Sequence, residues 1–186
     1  REAEQRRKNM TDSVTGLYVY SAGIGQIMEY RRSRPEGVMV SLFVDQLRQT
    51  NEKNGIVFGD MLLEELGLLV QESCRALTVQ TGCAAIALRL NRDELVLWLE
   101  GQTKEQAGEF VRSLLDASAA CFSEDTFPVR VYAGLAFGGE REGTEQLIRM
   151  AKQAQGLARS GADGQPLLYG ERSGKNRAVL PPLQAH

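Results

Sequence analysis

Two adjacent carboxylates, Asp93 and Glu94, are the first residues of this sequence whose types and spacing could do chemistry. They lie in a polar tip, residues 91–94, between the apolar runs 84–90 and 95–99. Short runs of strand-forming residues around a polar tip predict a β-hairpin with its tip in water. An acidic tip between buried strands can hold a cation, because the strands fix the backbone and leave the carboxylates free. On the hairpin alone, an ordinary solvated turn is the preferred interpretation.

The composition excludes several classes of function. A net charge of −2 over 186 residues gives no support for a general nucleic-acid or membrane surface, so nucleic acid is not an expected partner. The single histidine is His186, which removes histidine general-base chemistry and histidine metal sites from consideration. Cys74, Cys83 and Cys121 are widely spaced, and we expect small buried side chains in a reducing compartment. No apolar run approaches the roughly 18 residues that a membrane span needs.

The apolar periodicity predicts the elements that must position the acidic tip. Residues 38–44 form a nearly continuous apolar run, the pattern of a central strand covered on both faces. Residues 45–54 are polar and are expected to form a connector. Further strands are predicted over residues 129–136 and 166–169, the second at the edge of the sheet. The helices predicted from apolar residues at helical spacing cover residues 18–31, 61–77, 104–122 and 144–159, the last capped by Thr144.

The order of these elements predicts the fold. Strand, helix, hairpin, helix, strand and helix follow one another, which is the split βαββαβ arrangement. We therefore predict an α/β (α+β) fold of the palm or ferredoxin-like type, with a central sheet that contains antiparallel strands and is flanked by helices. In such a sheet the end of the first strand and the tip of the central hairpin are neighbours.

Five stretches, in order and at compatible spacing, resemble motifs of the GGDEF family of diguanylate cyclase domains. They are Asp-Ser-Val-Thr-Gly-Leu at 12–17, Asn-Glu-Lys-Asn-Gly-Ile-Val-Phe-Gly-Asp at 51–60, Arg-Leu-Asn-Arg-Asp-Glu-Leu at 89–95, Tyr-Ala-Gly-Leu-Ala at 132–136, and the helix 147–159. The family condenses two GTP into cyclic di-GMP. The resemblance implies a connecting helix end over residues 1–11, a GGDEF-like domain over 12–170 and a tail over 171–186.

The resemblance also implies where metal ions would bind in an active member. In the family two metal ions are held by an aspartate at the end of the first strand and by the third residue of the signature. These ions neutralise triphosphate charge and activate the attacking hydroxyl. The signature acid is present as Asp93, but the strand acid falls on Phe43, which cannot coordinate a cation. Asp45 matches a second family acid on the same face, about 6.6 Å further along the strand.

Part of a nucleotide pocket is implied by other matches. Asn51 and Asp60 correspond to the pair that recognises guanine, and an amide and a carboxylate can read the guanine edge. Arg48 and Arg159 correspond to two phosphate-facing lysines. Simpler interpretations remain open for all four: Asp60 as a helix N-cap, Asn51 as a turn asparagine, and the two arginines as solvated surface residues.

Several departures from the family pattern point to lost activity. The two signature glycines, which admit a nucleotide closely, are replaced by Asn91 and Arg92. The arginine that follows the closing helix is absent at Asp163, and the Arg-x-x-Asp product site falls on Gly-Cys-Ala-Ala at residues 82–85. We therefore expect a degenerate, catalytically inactive domain that acts as a regulatory or interaction module in bacterial cyclic di-GMP signalling. It could retain GTP binding, with Mg²⁺ present only together with the nucleotide.

Two alternatives remain. The first is a working diguanylate cyclase with an altered metal site built from Asp45, Asp93 and Glu94. The second is a receptor for cyclic di-GMP on another surface. Because the sequence begins at Arg1 rather than methionine, we expect an upstream sensor or membrane part in the same protein, a cytoplasmic location for this domain, and a homodimer as one arrangement.

Overall fold

The computed structural model describes residues 1–122, 129–161, 166–169 and 177–179. Its helices are α1 (Glu2–Met10), α2 (Tyr20–Ser33), α3 (Leu47–Asn54), α4 (Ile56–Thr81), α5 (Lys104–Cys121) and α6 (Thr144–Ser160). Its strands are β1 (Tyr18–Val19), β2 (Gly37–Asp45), β3 (Ala85–Arg89), β4 (Glu94–Glu100), β5 (Arg130–Gly138), β6 (Leu167–Tyr169) and β7 (Arg177–Val179).

The strands form one sheet in the order β1-β3-β4-β2-β5-β6-β7. The central strand β2 pairs antiparallel with both β4 and β5, whereas β1 with β3 and β5 with β6 are parallel pairs. Helices cover both faces of this sheet. The predicted α/β fold with an antiparallel-containing central sheet is confirmed.

Alternation along β2 divides the core into two layers, because successive side chains of a strand point to opposite faces. Val38, Val40 and Leu42 belong to the cluster under α4 and α5. Met39 belongs to the cluster under α2 and α6, together with Trp98 of β4. Phe43 and Asp45 share the parity of Met39, and their side chains are therefore directed towards α6.

The register of β2 against β4 brings the hairpin tip to the end of the central strand. Phe43 is paired with Glu94, and the Val44 N–H donates to the Asp93 carbonyl at 2.8 Å. The predicted proximity of strand end and tip is confirmed. The turn comprises residues 90–93, one position earlier than predicted, because Glu94 is already the first residue of β4.

The prediction of a polar connector over residues 45–54 is wrong. These residues contain α3, which packs on α4. Leu47 and Thr50 lie one helical turn apart and are buried, so two residues anchor an otherwise polar helix. The break between the two helices falls at Gly55, whose φ of 89° favours glycine.

Other element boundaries also differ from prediction. The predicted helix 18–31 begins only at Tyr20, because Tyr18 and Val19 pair with β3. The predicted helix 61–77 extends over Ile56–Thr81, which places Asp60 inside α4 and excludes it as an N-cap. The N-cap of α6 is Gly143 rather than Thr144.

The C-terminal strands correct two further expectations. β6 lies between β5 and β7, so it is not an edge strand. The predicted tail, residues 171–186, contains the strand β7; its other residues, and Asp163, lie outside the described residues.

Only one of the three cysteines is buried as predicted. Cys74 is buried in α4, and desolvation raises the pKa of its thiol to about 12. Cys83 is partly exposed and Cys121 is exposed, because each follows or ends a helix rather than facing the core.

Gly23 and Gly25 of α2 provide a matched test of this packing. A Cβ at position 23 would lie 2.5 Å from the Leu88 side chain of β3, whereas one at position 25 would meet nothing within 4 Å. Gly23→Ala should lower the free energy of unfolding by about 1–3 kcal/mol through overpacking. Gly25→Ala should raise it by about 0.5–1 kcal/mol through helix propensity. Urea denaturation measures both, and equal effects would contradict the close approach of α2 to β3.

Candidate functional site

The end of β2 carries an aromatic ring where the strand faces α6. Phe43 is half-buried, and the guanidinium carbon of Arg159 lies 4.9 Å from the centroid of its ring. A cation at this distance over a ring face is attracted by the ring quadrupole. The closeness of α6 to the sheet depends on Gly134 of β5, where a Cβ would collide with the α6 backbone at Ala151 and Gln155.

Asp45 is paired with the same arginine. Its two carboxylate oxygens accept hydrogen bonds from Arg159 Nε at 3.2 Å and Nη2 at 3.0 Å. The Asp45 side chain is 17% exposed and that of Arg159 is 52% exposed. This two-point contact fixes the guanidinium between the carboxylate and the Phe43 ring.

Glu94 of β4 is paired with a second cation of α6. Lys152 Nζ lies 2.9 Å from Glu94 Oε2, and the Asn91 side-chain amide donates to the same oxygen at 3.0 Å. The Glu94 side chain is only 14% exposed. Lys152 and Arg159 are seven residues apart, which places both on one face of α6.

Phe43, Glu94 and Arg159 border a pocket of about 360 Å³. Its lining combines an aromatic ring, a carboxylate, a guanidinium and small polar groups. The lining residues are Phe43, Glu94, Gln155, Gly156, Arg159 and Ser160. At this end of the sheet the positive charges of Lys152 and Arg159 neutralise the negative charges of Glu94 and Asp45.

The donors at the pocket do not fit a two-metal centre. Phe43 offers no oxygen, and the carboxylates of Asp45 and Glu94 already accept from Arg159 and Lys152. Within the described residues, no three histidine, cysteine, aspartate or glutamate side chains form a group that could hold a metal ion. The backbone carbonyl of Asp93 accepts from the Val44 N–H at the end of β2. The Asp93 carboxylate forms no ion pair with any of the described residues.

Arg89 connects the hairpin tip to the turn at residues 12–16, which precedes β1. Its Nη1 lies 3.1 Å from both carboxylate oxygens of Asp12, while Nε and Nη2 donate to the carbonyls of Asn91 and Arg92 at 3.0 and 2.8 Å. Burial opposes ionisation of Asp12, but hydrogen bonds from the Thr15 backbone and hydroxyl, together with Arg89, outweigh it. The pKa of Asp12 is therefore lower than usual.

The predicted guanine pair lies at the contact of α3 with α4. The Asn51 Oδ1 atom is buried and finds no hydrogen-bond partner among the described residues. It lies so close to Gly59 that a Cβ at that position would collide with it. Asp60 follows in the first turns of α4 and is partly exposed. Arg48 forms an exposed pair with Glu52 at 3.1 Å on α3 and does not line the Phe43 pocket.

The sequence interpretation missed Lys152. Lys152 could have been predicted from its position seven residues before Arg159, since that spacing puts two cations on one face of a helix. Its partner Glu94 could not be assigned from the spacing, because the pair joins residues 58 positions apart whose distance depends on how α6 crosses the sheet.

The sequence profile described as "Diguanylate cyclase, GGDEF domain" matches residues 9–164. The chain belongs to the GGDEF family. It is similar to the diguanylate cyclase DgcS of Shewanella oneidensis, with 26% identity over 185 residues. That match covers 97% of this chain and 56% of DgcS, so the chain spans little more than half of the relative's length.

Solved structures of GGDEF domains share the fold. The coiled coil and GGDEF domain of DgcB from Caulobacter crescentus, solved in complex with c-di-GMP, matches with a TM-score of 0.76 and 14% identity over 90% of each chain. The diguanylate cyclase SiaD of Pseudomonas aeruginosa, solved with its activator SiaC, matches with a TM-score of 0.75 and 19% identity. The second match covers 90% of this chain and 64% of SiaD. At these identities the likeness concerns the fold alone.

Membership of the family confirms the resemblance to it that the sequence predicted. Among the described helices, none combines the length and apolar character needed to cross a membrane.

The Asp12–Arg89 contact predicts a pH-dependent contribution to stability. Because the folded-state pKa of Asp12 lies below the unfolded value of about 3.9, the contribution is complete above that value and disappears as pH falls through the folded-state pKa. Asp12→Asn should therefore be less stable than the parent near neutral pH, and the difference should shrink towards pH ~2. Urea denaturation across this range measures it.

The control for this prediction is Asp116→Asn, which removes an exposed carboxylate of α5. A stability difference for Asp12→Asn that stays constant from neutral to acid pH would show that the lowered pKa has no energetic consequence.

Proposed function

We propose that this chain is a catalytically inactive GGDEF domain that acts as a regulatory or interaction module in cyclic di-GMP signalling. The observation that carries the proposal is the aromatic ring of Phe43 at the position of the family's strand acid, with Arg159 stacked on it. An aromatic ring supplies no oxygen to a metal ion, and the stacked guanidinium holds a positive charge beside it.

The remaining carboxylates support the same proposal. A divalent ion would have to displace Arg159 from Asp45 and Lys152 from Glu94 before either carboxylate could bind it. Each displacement leaves a cation unpaired beside the incoming ion, which opposes binding electrostatically. The internal ion pairs thus favour a domain that keeps its charge balance without metal.

Nucleotide access is also reduced. The tip carries side chains at Asn91 and Arg92, and the Asn91 amide is committed to Glu94. The backbone of the tip is fixed by Arg89, so both side chains start from fixed positions at this edge of the sheet. Glycines would let GTP come into close contact with the backbone of the tip, and the side chains of Asn91 and Arg92 prevent that contact.

Incubation with GTP and Mg²⁺ or Mn²⁺, with products separated by chromatography, tests the proposal directly. We expect cyclic di-GMP formation at least about a thousandfold slower than by an active GGDEF domain assayed in parallel, which corresponds to about 4 kcal/mol of lost transition-state stabilisation. Product well above this level would favour a cyclase with an altered metal site at Asp45, Asp93 and Glu94.

Phe43→Asp tests whether the ring is what excludes the metal. The new carboxylate would lie beside Glu94 on the same face of the sheet, so Mn²⁺ affinity measured by electron paramagnetic resonance should rise by roughly tenfold or more. Phe43→Leu is the matched control, since it removes the ring without adding an oxygen. Equal Mn²⁺ binding by the parent and both variants would contradict the assignment.

Asn51 tests retained GTP binding. If the half-site at α3 and α4 recognises guanine, Asn51→Ala should abolish the heat of GTP binding in titration calorimetry, because the amide that reads the base is lost. Thr78→Ala is the control, since it removes a hydroxyl from an exposed position of α4 far along the helix. Unchanged GTP affinity in Asn51→Ala would remove this half-site from the proposal, and titration with cyclic di-GMP in the same series tests the receptor alternative.

A further inference from the structure

A groove of about 970 Å³ lies on the α4 side of the sheet, at the edge formed by β1 and β3. It is bordered by α1, by the C-terminal half of α4 and by the start of β3. Met10 and Val79 give it apolar walls, and Val79 is 79% exposed. The groove is separate from the Phe43 pocket, with which it shares no lining residue.

The floor of this groove is a partly unpaired strand edge. The Ala84 carbonyl accepts from the Glu100 N–H at 3.0 Å, which directs the backbone groups of Ala84 towards β4. Hydrogen-bonding direction alternates along an antiparallel pair, so Ala85 and Ala87 direct their backbone groups away from β4, and both line the groove.

The strand on that side covers only part of this edge. Its parallel register directs the Tyr18 N–H to the Ala87 carbonyl, whereas the backbone groups of Ala85 and the Ala87 N–H face no strand among the described residues. β1 has two residues, Tyr18 and Val19, and pairs only with Leu88 and Arg89. In the described chain no strand pairs with β3 at Ala85 on this side. Unpaired backbone groups at a sheet edge accept an additional strand.

Two cations flank the open edge. Arg7 of α1 and Arg75 of α4 both line the groove. Neither guanidinium has an ion-pair partner in the part of the chain that the structure describes. Positive charge beside apolar walls selects an anionic segment with apolar residues rather than a neutral or basic one.

We propose that this groove binds an extended, acidic segment of a partner protein, which adds as a strand beside β3 and places its carboxylates at Arg7 and Arg75. The backbone groups of Ala85 and the N–H of Ala87 supply main-chain hydrogen bonds, and the walls at Met10 and Val79 receive alternate apolar side chains. This surface and its partner rest on the proposed function of the chain as an interaction module.

The test uses the whole chain and a fluorescein-labelled probe peptide of sequence Val-Asp-Val-Thr-Val-Asp-Val, followed by fluorescence anisotropy. We expect saturable binding with a Kd of roughly 10–100 µM, and at least tenfold weaker binding, on the order of 1.4 kcal/mol, for the same peptide with lysine in place of aspartate. The charge-reversed protein, Arg7→Glu with Arg75→Glu, should invert this preference. Arg149→Glu on the exposed side of α6 is the matched control and should leave it unchanged.

Ala85→Pro tests the strand-addition step separately from the charges. Proline removes the outward N–H of Ala85 without touching the bonds of β3 to β4, so the variant should lose the acidic peptide while keeping its circular dichroism spectrum. If that variant does not fold, the charge-reversed protein decides alone.

Three outcomes would overturn the proposal. The first is the absence of saturable binding up to about 1 mM peptide. The second is equal binding of the acidic and basic peptides. The third is that laurate, an anion with a long apolar chain, binds in a way that depends on Arg7 and Arg75 while the peptide does not bind. That result would assign the groove to an anionic amphiphile. The peptide assay contains no nucleotide, so an absence of peptide binding would not contradict the proposal of an inactive domain. Conversely, cyclic di-GMP synthesis would contradict the inactive domain but not peptide binding in the groove.

Discussion

The packing of α6 against β5 and β2 is the constraint on which the Phe43 pocket depends. Gly134 lets the backbone of α6 approach β5 without a side chain between them, and Ala151, Ala154 and Ala158 keep the buried face of the helix small. At this short distance Lys152 and Arg159 reach the ends of β4 and β2. A larger residue at Gly134 would move both cations away from their carboxylates together.

The two ion pairs neutralise the carboxylates of Glu94 and Asp45 from within the chain. A metal centre needs carboxylates whose charge is not yet neutralised. Here Lys152 and Arg159 neutralise Glu94 and Asp45 from within the chain, and the ring of Phe43 offers a second attraction for the arginine. The hairpin tip remains in place because Arg89 holds it to Asp12, and this contact does not involve the pocket. The hairpin tip is thus held at Asp12 by Arg89 and at Glu94 by Asn91.

The sheet is well covered at its centre and open at one end. β2 is paired with β5 along its whole length and with β4 from Gly37 to Phe43, and its residues from Gly37 to Leu42 are buried. β3, in contrast, has a full partner in β4 and a two-residue partner in β1. Among the described residues, the groove between α1 and α4 is where backbone groups of β3 face no strand, and it shares no lining residue with the Phe43 pocket.

Local sequence determined much of this protein. The apolar run at residues 38–44 identified the central strand and the order of elements identified the fold, because hydrophobic periodicity is a property of neighbouring residues. That Phe43 replaces the strand acid of the family stays a prediction from the motif spacing. Residues 45–54 were misassigned because only Leu47 and Thr50 anchor α3, too few for a periodic signal. The tertiary structure alone decided that Arg159 binds Asp45, that Lys152 binds Glu94 and that β3 keeps an open edge. These contacts join residues distant in sequence, and their distances are set by helix crossing and strand register, which no local pattern encodes.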